Sequence, residues 1–260
     1  MQAAEQTDIV NKLLLAQDGK GVRAWHIAVY SPNIQVSEKL WECAKKNLTA
    51  HELKKSELLL ATERRKMSAW HLTVMRGEVE VLLKQWKLTK EKTNNREDNK
   101  ILLAKKRQGR TVWHMVEKKA DSDQLQKLWH WAKRELTAEE INSTLLFHSG
   151  HMEISVWHLA INCGSLQLLL EIWEWLKGNL TTEEINKVLI VTDGKGRNFW
   201  HMAARKGGLE ILQIIWELTE EYLTTEEINK LLLYTDYRGK TSLHQTTMWS
   251  NIEILQKLRE

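Results

Sequence analysis

The sequence predicts an all-α array of repeats with about three helices each, and three recurring features predict it. A Trp-His pair occurs five times and becomes Leu243-His244 at its sixth position, with steps of 45, 43, 44, 43 and 43 residues. A second tryptophan follows each of the first five pairs by 16 residues. A Thr-x-x-Glu signature, which caps the start of a helix, recurs four times. A period of this size is typical of solenoids, whose repeats pack only on their neighbours.

Composition and charge narrow the classes of protein further. One of the 260 residues is proline and 12 are glycine, which leaves little room for an all-β fold with many turns. The net charge of +4 is mildly basic and does not by itself indicate a nucleic-acid partner. No apolar stretch approaches the ~20 residues that cross a bilayer, and a signal peptide is not recognisable. Cys43 and Cys163 lie in different repeats without metal-binding spacing, and no disulfide between them is expected. This favours a reducing compartment, so we expect an intracellular, cytoplasmic location, with the nucleus as the alternative.

The repeats divide residues 1–260 into one array. Residues 10–15 match 228–233 almost letter for letter, so we interpret 1–17 as the end of an upstream repeat. Residues 236–260 begin a terminal repeat and stop within it. We therefore expect a fragment of a longer array or a short isoform, acting as a monomer. The five repeats between these ends are 18–62, 63–105, 106–149, 150–192 and 193–235.

The repeat 193–235 shows the turn and the first helix most clearly. Asp193 favours the first position of a tight turn, and Gly196 supplies its positive φ. A short first helix is predicted over 198–206. Gly207 and Gly208 are predicted to end that helix with a left-handed cap.

The second and third helices are predicted from apolar spacing and from a capping box. Over 209–219 the apolar residues recur at three- and four-residue intervals, as one buried stripe requires. A third helix begins at Thr224, whose hydroxyl accepts from the amide of Glu227 while that carboxylate reaches back. The segment 93–99 lacks the box and is predicted as a mobile loop or a weak helix start. The equivalent boxes are Thr49–Glu52, Thr137–Glu140 and Thr181–Glu184.

The segment 193–211 resembles an ankyrin repeat. It combines an Asp-x-x-Gly turn, an apolar-His pair, Ala-Ala, a glycine break and Leu-Glu-Ile, and 236–254 carries much of the same pattern. The resemblance implies a helical hairpin fold with a concave face lined by the turns and by the ends of the first helices. The third helix and the Trp before His depart from the family pattern. Armadillo and HEAT arrays have a similar period, but the recurring turn and glycine break favour the ankyrin type.

The six histidines at constant register are interpreted as structural. Packed helices lie about 8–10 Å apart, so histidines of adjacent repeats cannot share a zinc ion that needs nitrogens at about 2.1 Å. The resemblance implies that each histidine bonds a hydroxyl two or three residues before it and a neighbouring backbone group. Arg23 and Asn198 depart from that pattern. Hydroxyls are available at Ser68, Thr111, Ser155 and Thr241. We expect no metal and no other cofactor.

The tryptophans are predicted to form the core. Ten of the 13 occupy the two fixed positions on apolar helix faces. Trp249 breaks the register and is therefore a candidate for ligand contact. The sequence contains no nucleophile with a placed histidine, no phosphate loop and no paired carboxylates outside helix starts, so we expect a protein that is not an enzyme.

Charge placement is the main sequence signal for function. Basic residues concentrate on the turns, as at Lys195, Arg238 and Lys240, and at the ends of first helices, whereas acidic residues concentrate on the third helices. In an ankyrin arrangement this predicts a basic concave groove, and a plain solvated face is the alternative. The candidate partner-binding residues are Arg23, Arg64, Arg65, Arg76, Arg110, Lys118, Lys119, Arg197, Arg205, Lys206 and Trp249.

The resemblance implies protein–protein recognition or scaffolding. The basic groove favours an acidic protein segment as the partner, steered by complementary charge. Nucleic-acid binding through the basic stripe is a less favoured alternative, and it predicts an affinity that falls steeply with salt for any sequence. A third hypothesis is a regulatory array cut from a larger channel, toxin or enzyme.

Overall fold

The computed structural model is almost entirely helical in its regular structure over the residues that it describes. It describes residues 2–31, 33–49, 52–53, 68–76, 79–93, 111–117, 121–146, 154–206 and 208–248. The chain forms two compact units, Met1–Lys119 and Ala120–Glu260. The all-α prediction is confirmed for the described residues. No helix among them is both long enough and apolar enough to cross a membrane.

In the first unit, the first helices of successive repeats pack side by side. The helices are α1 (Gln2–Leu15), α2 (Ala24–Tyr30), α3 (Ile34–Asn47), α4 (Ala69–Arg76), α5 (Val79–Thr93) and α6 (Val112–Glu117). Helix α2 packs on α4, and α4 packs on α6. Helices α3 and α5 back the first helices of their own repeats, and α1 packs against both α2 and α3. The repeat boundaries, including residues 1–17 as the end of an upstream repeat, stay a prediction.

The second unit repeats this arrangement. Its helices are α7 (Ser122–Glu135), α8 (Ala138–Ile141), a π-helix (Asn142–Leu146), α9 (Val156–Cys163), α10 (Leu166–Asn179), α11 (Thr182–Ile190), α12 (Phe199–Lys206), α13 (Leu209–Tyr222), α14 (Thr225–Leu233) and α15 (Ser242–Met248). The first helices α9, α12 and α15 form a row, with α12 packed between the other two. Helix α11 packs against α13 of the following repeat, so the third helices join successive layers.

The predicted capping boxes are confirmed. Thr224 Oγ1 accepts a hydrogen bond from the Glu227 amide at 3.3 Å, and the Glu227 carboxylate accepts from the Thr224 amide at 2.8 Å. The same reciprocal pair begins α8 at Thr137–Glu140 and α11 at Thr181–Glu184, and it is also present at Thr49–Glu52. Residues 94–99 of the segment without a box lie outside the described residues.

The predicted helix ends in the best-marked repeat need one correction. Helix α12 ends at Lys206 as predicted, and α13 runs on to Tyr222, three residues past the predicted end. Gly208 does not adopt the left-handed conformation; at φ −66° and ψ 166° it is the extended residue that begins α13. Glycine is well tolerated at the N-cap position, and α13 begins with the next residue, Leu209. Gly207 lies outside the described residues, whereas Gly164 ends α9 with φ 70°.

Within a repeat, the tryptophan of the Trp-His pair packs on the tryptophan that follows it by 16 residues. The ring centroids lie 5.5 Å apart for Trp25 and Trp41 and 5.6 Å apart for Trp200 and Trp216. The 16-residue spacing therefore brings one indole from the first helix against one from the second. Nine of these ten side chains are buried, and Trp216 is half-buried. The predicted tryptophan core is confirmed, since each buried indole removes about 150–250 Å² from water.

Candidate functional site

Asp193 organises the first of two turns in the second unit. Its Oδ1 accepts hydrogen bonds from the amides of Lys195 and Arg197 at 2.9 and 2.8 Å. Its Oδ2 accepts from Arg197 Nε at 2.8 Å and from Nη2 at 2.5 Å. Gly196 completes the turn with φ 72° and donates its amide to the Asp193 carbonyl at 2.8 Å. The predicted turn is confirmed, and the buried carboxylate of Asp193 stabilises it through these hydrogen bonds.

Asp236 builds an equivalent turn one repeat later. Its Oδ1 accepts from the amides of Arg238 and Lys240 at 2.8 and 3.0 Å, and its Oδ2 accepts from Gln245 Nε2 at 3.3 Å. Burial raises the pKa of the Asp236 carboxyl, but these backbone amides and the nearby His201 lower it, and the net pKa lies below its usual value. The carboxylate is therefore ionised at neutral pH and holds the turn closed.

The two turns are joined directly. The Tyr237 amide donates to the Lys195 carbonyl at 3.0 Å. The Tyr237 ring covers Gly196 so closely that a Cβ there would lie 2.8 Å from Cδ1 of the ring. Glycine is thus required at this position for its positive φ and for the approach of the tyrosine. The junction fixes the two turns relative to each other.

A cleft of about 420 Å³ opens beside this junction. We call it the turn cleft. It is lined by Lys195, Arg197, Arg205, Asp236, Tyr237, Arg238, Lys240 and Gln245. Lys195 and Arg238 are exposed, and the ring of Tyr237 is 80% exposed. Five cationic side chains on one small concave surface favour an anionic ligand.

Two of the predicted binding residues meet in the turn cleft, and both are held by other side chains. Arg197 is 8% exposed and paired with Asp193. Arg205 is half-buried at the end of α12, and its Nη2 donates to Asn162 Oδ1 of α9 at 2.5 Å. Arg197 therefore stabilises the turn as well as lining the cleft, which its sequence position did not reveal.

The other predicted residues lie elsewhere. Arg23 precedes α2 in the first unit, and its Nε and Nη1 atoms are buried with no hydrogen-bond partner among the described residues. Of Arg76 and Lys206 the structure describes only the helical backbone at the ends of α4 and α12. Outside the described residues lie Arg64, Arg65, Arg110, Lys118, Lys119 and Trp249.

Three lining residues were missed by sequence reasoning. Asp236 was read only as a turn residue, and Tyr237 carried no signal because its contact with Gly196 joins different repeats. Gln245 did carry a signal. It follows the register histidine, a position that is apolar in every earlier repeat. The apolar residues at that position are Ile27, Leu72, Met115, Leu159 and Met202.

The histidines of the recurring pairs each contact the residue three positions before them and so stabilise the starts of the first helices, as predicted. The Nδ1 atom of His158 lies 2.8 Å from Ser155 Oγ, and that of His201 lies 2.6 Å from Asn198 Oδ1. His201 Nε2 also reaches the Lys240 carbonyl of the next turn at 3.0 Å. The same three-residue contact to a hydroxyl occurs at His71, His114 and His244. Among the described residues, no group of three or more His, Cys, Asp or Glu is placed to hold a metal ion.

His158 predicts a loss of stability in mild acid. Burial lowers its pKa to about 4 from 6.5, against the opposing effect of Asp193. The imidazole binds its proton more tightly in the unfolded chain than in the folded one. The neutral His158 ring therefore contributes its full stabilisation above pH 6.5, and this stabilisation is lost as the pH falls toward 4. Across this pH range the free energy of unfolding should fall by roughly 3 kcal/mol. Urea unfolding measured at several pH values across this window should show the decline.

The variant His158→Gln separates this histidine from the other titrating groups. It should be less stable than the wild type at neutral pH and should lose less stability on acidification, because the titrating ring is gone. Parallel stability curves for the two proteins would contradict the assignment.

The turn, the first helix held at its start by a histidine, and the second helix packed against it define an ankyrin-like repeat protein, and solved structures agree. The ankyrin repeat domain of Bcl-3, a member of the IκB protein family, matches with a TM-score of 0.54 and 16% identity, over 92% of this chain and 86% of that chain. A chain from the complex of the predatory endopeptidase Bd0816 of Bdellovibrio bacteriovorus with the immunity protein Bd3460 matches with a TM-score of 0.56 and 17% identity, over 92% and 98%. No protein-family model and no curated protein matches the sequence. These similarities establish the fold.

Proposed function

We propose that the protein is a non-catalytic interaction module, active as a monomer, that binds an acidic segment of a protein partner in the turn cleft. The observation that carries the proposal is the concentration of five cationic side chains around one concave surface. The ankyrin fold supports it, because one fold neighbour comes from a protein–protein complex. No cofactor enters this function.

The cleft is organised for recognition before any partner arrives. Asp193 fixes the Arg197 guanidinium, and Asn162 fixes that of Arg205. Side chains that are already ordered lose little entropy on binding, which favours affinity. Lys195 and Arg238 are exposed beside them and can attract an acidic segment over a longer range. The exposed ring of Tyr237 adds an aromatic contact of the kind enriched at interfaces.

Reversing the two exposed charges should weaken binding. The probe is a fluorescein-labelled peptide that alternates Glu and Ser, and the variant is Lys195→Glu with Arg238→Glu. An exposed ion pair contributes about 0.2–1 kcal/mol, and reversal replaces attraction by repulsion at both positions. We therefore expect binding about tenfold weaker by fluorescence anisotropy.

The matched control places the same change of charge elsewhere in the unit. Lys187→Glu with Lys230→Glu alters exposed lysines of α11 and α14, outside the cleft. This variant should bind the acidic peptide nearly as well as the wild type. Equal weakening by both double variants would overturn the proposed site. A single-stranded DNA probe that binds as tightly as the peptide, with a steep salt dependence, would instead favour the nucleic-acid alternative.

A further inference from the structure

We infer that the acidic segment of the partner carries an aromatic side chain, which stacks on the exposed surface of the Tyr237 ring. This inference rests on the proposed function and names the type of residue that lies beside the acidic groups of the segment. It depends on the place of Tyr237 in its turn, on the contacts that hold the ring and on the cations beside it.

Tyr237 occupies a turn position that does not itself require a side chain. Three turns among the described residues share a hydrogen bond from a glycine amide to the carbonyl of the aspartate three residues before it, at Asp18–Gly21, Asp193–Gly196 and Asp236–Gly239. The residue after the aspartate is Gly19 in the first turn, Gly194 in the second and Tyr237 in the third. Since glycine is sufficient in two equivalent turns, formation of the turn does not explain the tyrosine.

The ring of Tyr237 is held by its own unit and leaves most of its surface open to solvent. The Tyr237 amide donates to the Lys195 carbonyl at 3.0 Å, and the ring atoms Cδ1 and Cε1 lie over Gly196. The residue is nevertheless 80% exposed. A tyrosine side chain has only two χ angles, so a ring that is already in contact loses little further freedom when a partner covers it. The open part is therefore a flat apolar surface that is ready for contact.

The surroundings of this ring favour an aromatic group over an aliphatic one. An aliphatic side chain gains most from a pocket that encloses it, whereas Tyr237 offers one flat surface. Two aromatic rings in offset-stacked or edge-to-face arrangement attract each other beyond the area that they bury. Lys195 and Arg238 line the same cleft, and a cation near the face of a second ring adds a further attraction. An aliphatic residue gains neither of these terms.

Three matched peptides test the inference. Each alternates Glu and Ser, and the central residue is serine, leucine or tryptophan. Isothermal titration against the full chain should show that the tryptophan peptide binds about fivefold tighter than the leucine peptide. The serine peptide measures the binding that the acidic residues provide by themselves.

Two variants connect the preference for tryptophan to the ring of Tyr237. Tyr237→Leu keeps an apolar side chain but removes the aromatic face, so the preference for tryptophan over leucine should fall below about twofold. The affinity for the serine peptide should stay close to the wild-type value, whereas a distorted turn would weaken all three peptides alike and keep their ratio. Tyr234→Leu is the matched control, because Tyr234 is 43% exposed and lies outside the lining of the cleft. This control should leave the preference intact.

The possible outcomes separate this inference from the proposed function. Equal affinities of the wild type for the tryptophan and leucine peptides would overturn the inference and leave the proposed function in place. A preference for tryptophan that persists in Tyr237→Leu would also overturn it, because the second ring would then bind elsewhere. Failure of all three peptides to bind would overturn both.

Discussion

Replacing Trp200 by alanine should lower the free energy of unfolding by about 3–5 kcal/mol. The side chain is fully buried at the start of α12, and its ring lies 5.6 Å from Trp216 and 5.5 Å from Phe199. Truncation removes the contacts of both rings and leaves a cavity that close-packed helices cannot fill. Because α12 packs between α9 and α15, the loss should extend to the adjoining repeats. Urea unfolding followed by circular dichroism measures the effect.

The chain supplies a matched control for this substitution. Leu243 occupies the same register position one repeat later, and it is 49% exposed. Leu243→Ala should cost about 1 kcal/mol or less, since half-exposed side chains lose few contacts on truncation. Comparable losses at the two positions would show that stability does not depend on the buried tryptophan register.

Replacing Asp193 by alanine should destabilise the protein by about 3–5 kcal/mol, because it leaves the buried Arg197 guanidinium without its partner. The carboxylate is 1% exposed and accepts from two backbone amides and from two guanidinium nitrogens. Loss of the turn hydrogen bonds adds to the loss of the ion pair. Urea unfolding at neutral pH measures the change.

The double variant Asp193→Ala with Arg197→Met separates the ion pair from the turn. It removes the stranded charge as well, so it should recover a substantial part of the lost stability. What remains lost is then the contribution of the turn hydrogen bonds. A double variant that is less stable than Asp193→Ala alone would show that Arg197 stabilises the fold through contacts other than its partner.

The fold could be predicted because its signals are local and recur in register. The Thr224–Glu227 box joins residues three apart, and so does the contact of His158 with Ser155. The spacing from Trp200 to Trp216 is fixed by two helices within one repeat. Each of these contacts depends on residues that are close along the chain, so the sequence pattern was enough to find them.

The candidate site was predicted less completely because its contacts join different repeats. Arg205 reaches Asn162, and Tyr237 covers Gly196, across neighbouring repeats. The repeat period predicts that such positions are neighbours, but it does not predict which side chains meet. Arg197 was predicted as a binding residue from its charge, and the structure adds its burial against Asp193. Charge patterns predicted cationic residues on the turns and at the ends of first helices, whereas the orientation of each cation depends on tertiary partners.

Photo-crosslinking tests the central claim most directly, because it locates the bound segment on the chain. The acidic peptide would carry a benzoylphenylalanine beside its central residue, and mass spectrometry would identify the crosslinked residues. We predict crosslinks within 195–205 and 237–245, around the turn cleft. Crosslinks concentrated instead on the third helices α11 and α14, or spread evenly over the chain, would contradict the assignment of the turn cleft as the binding site.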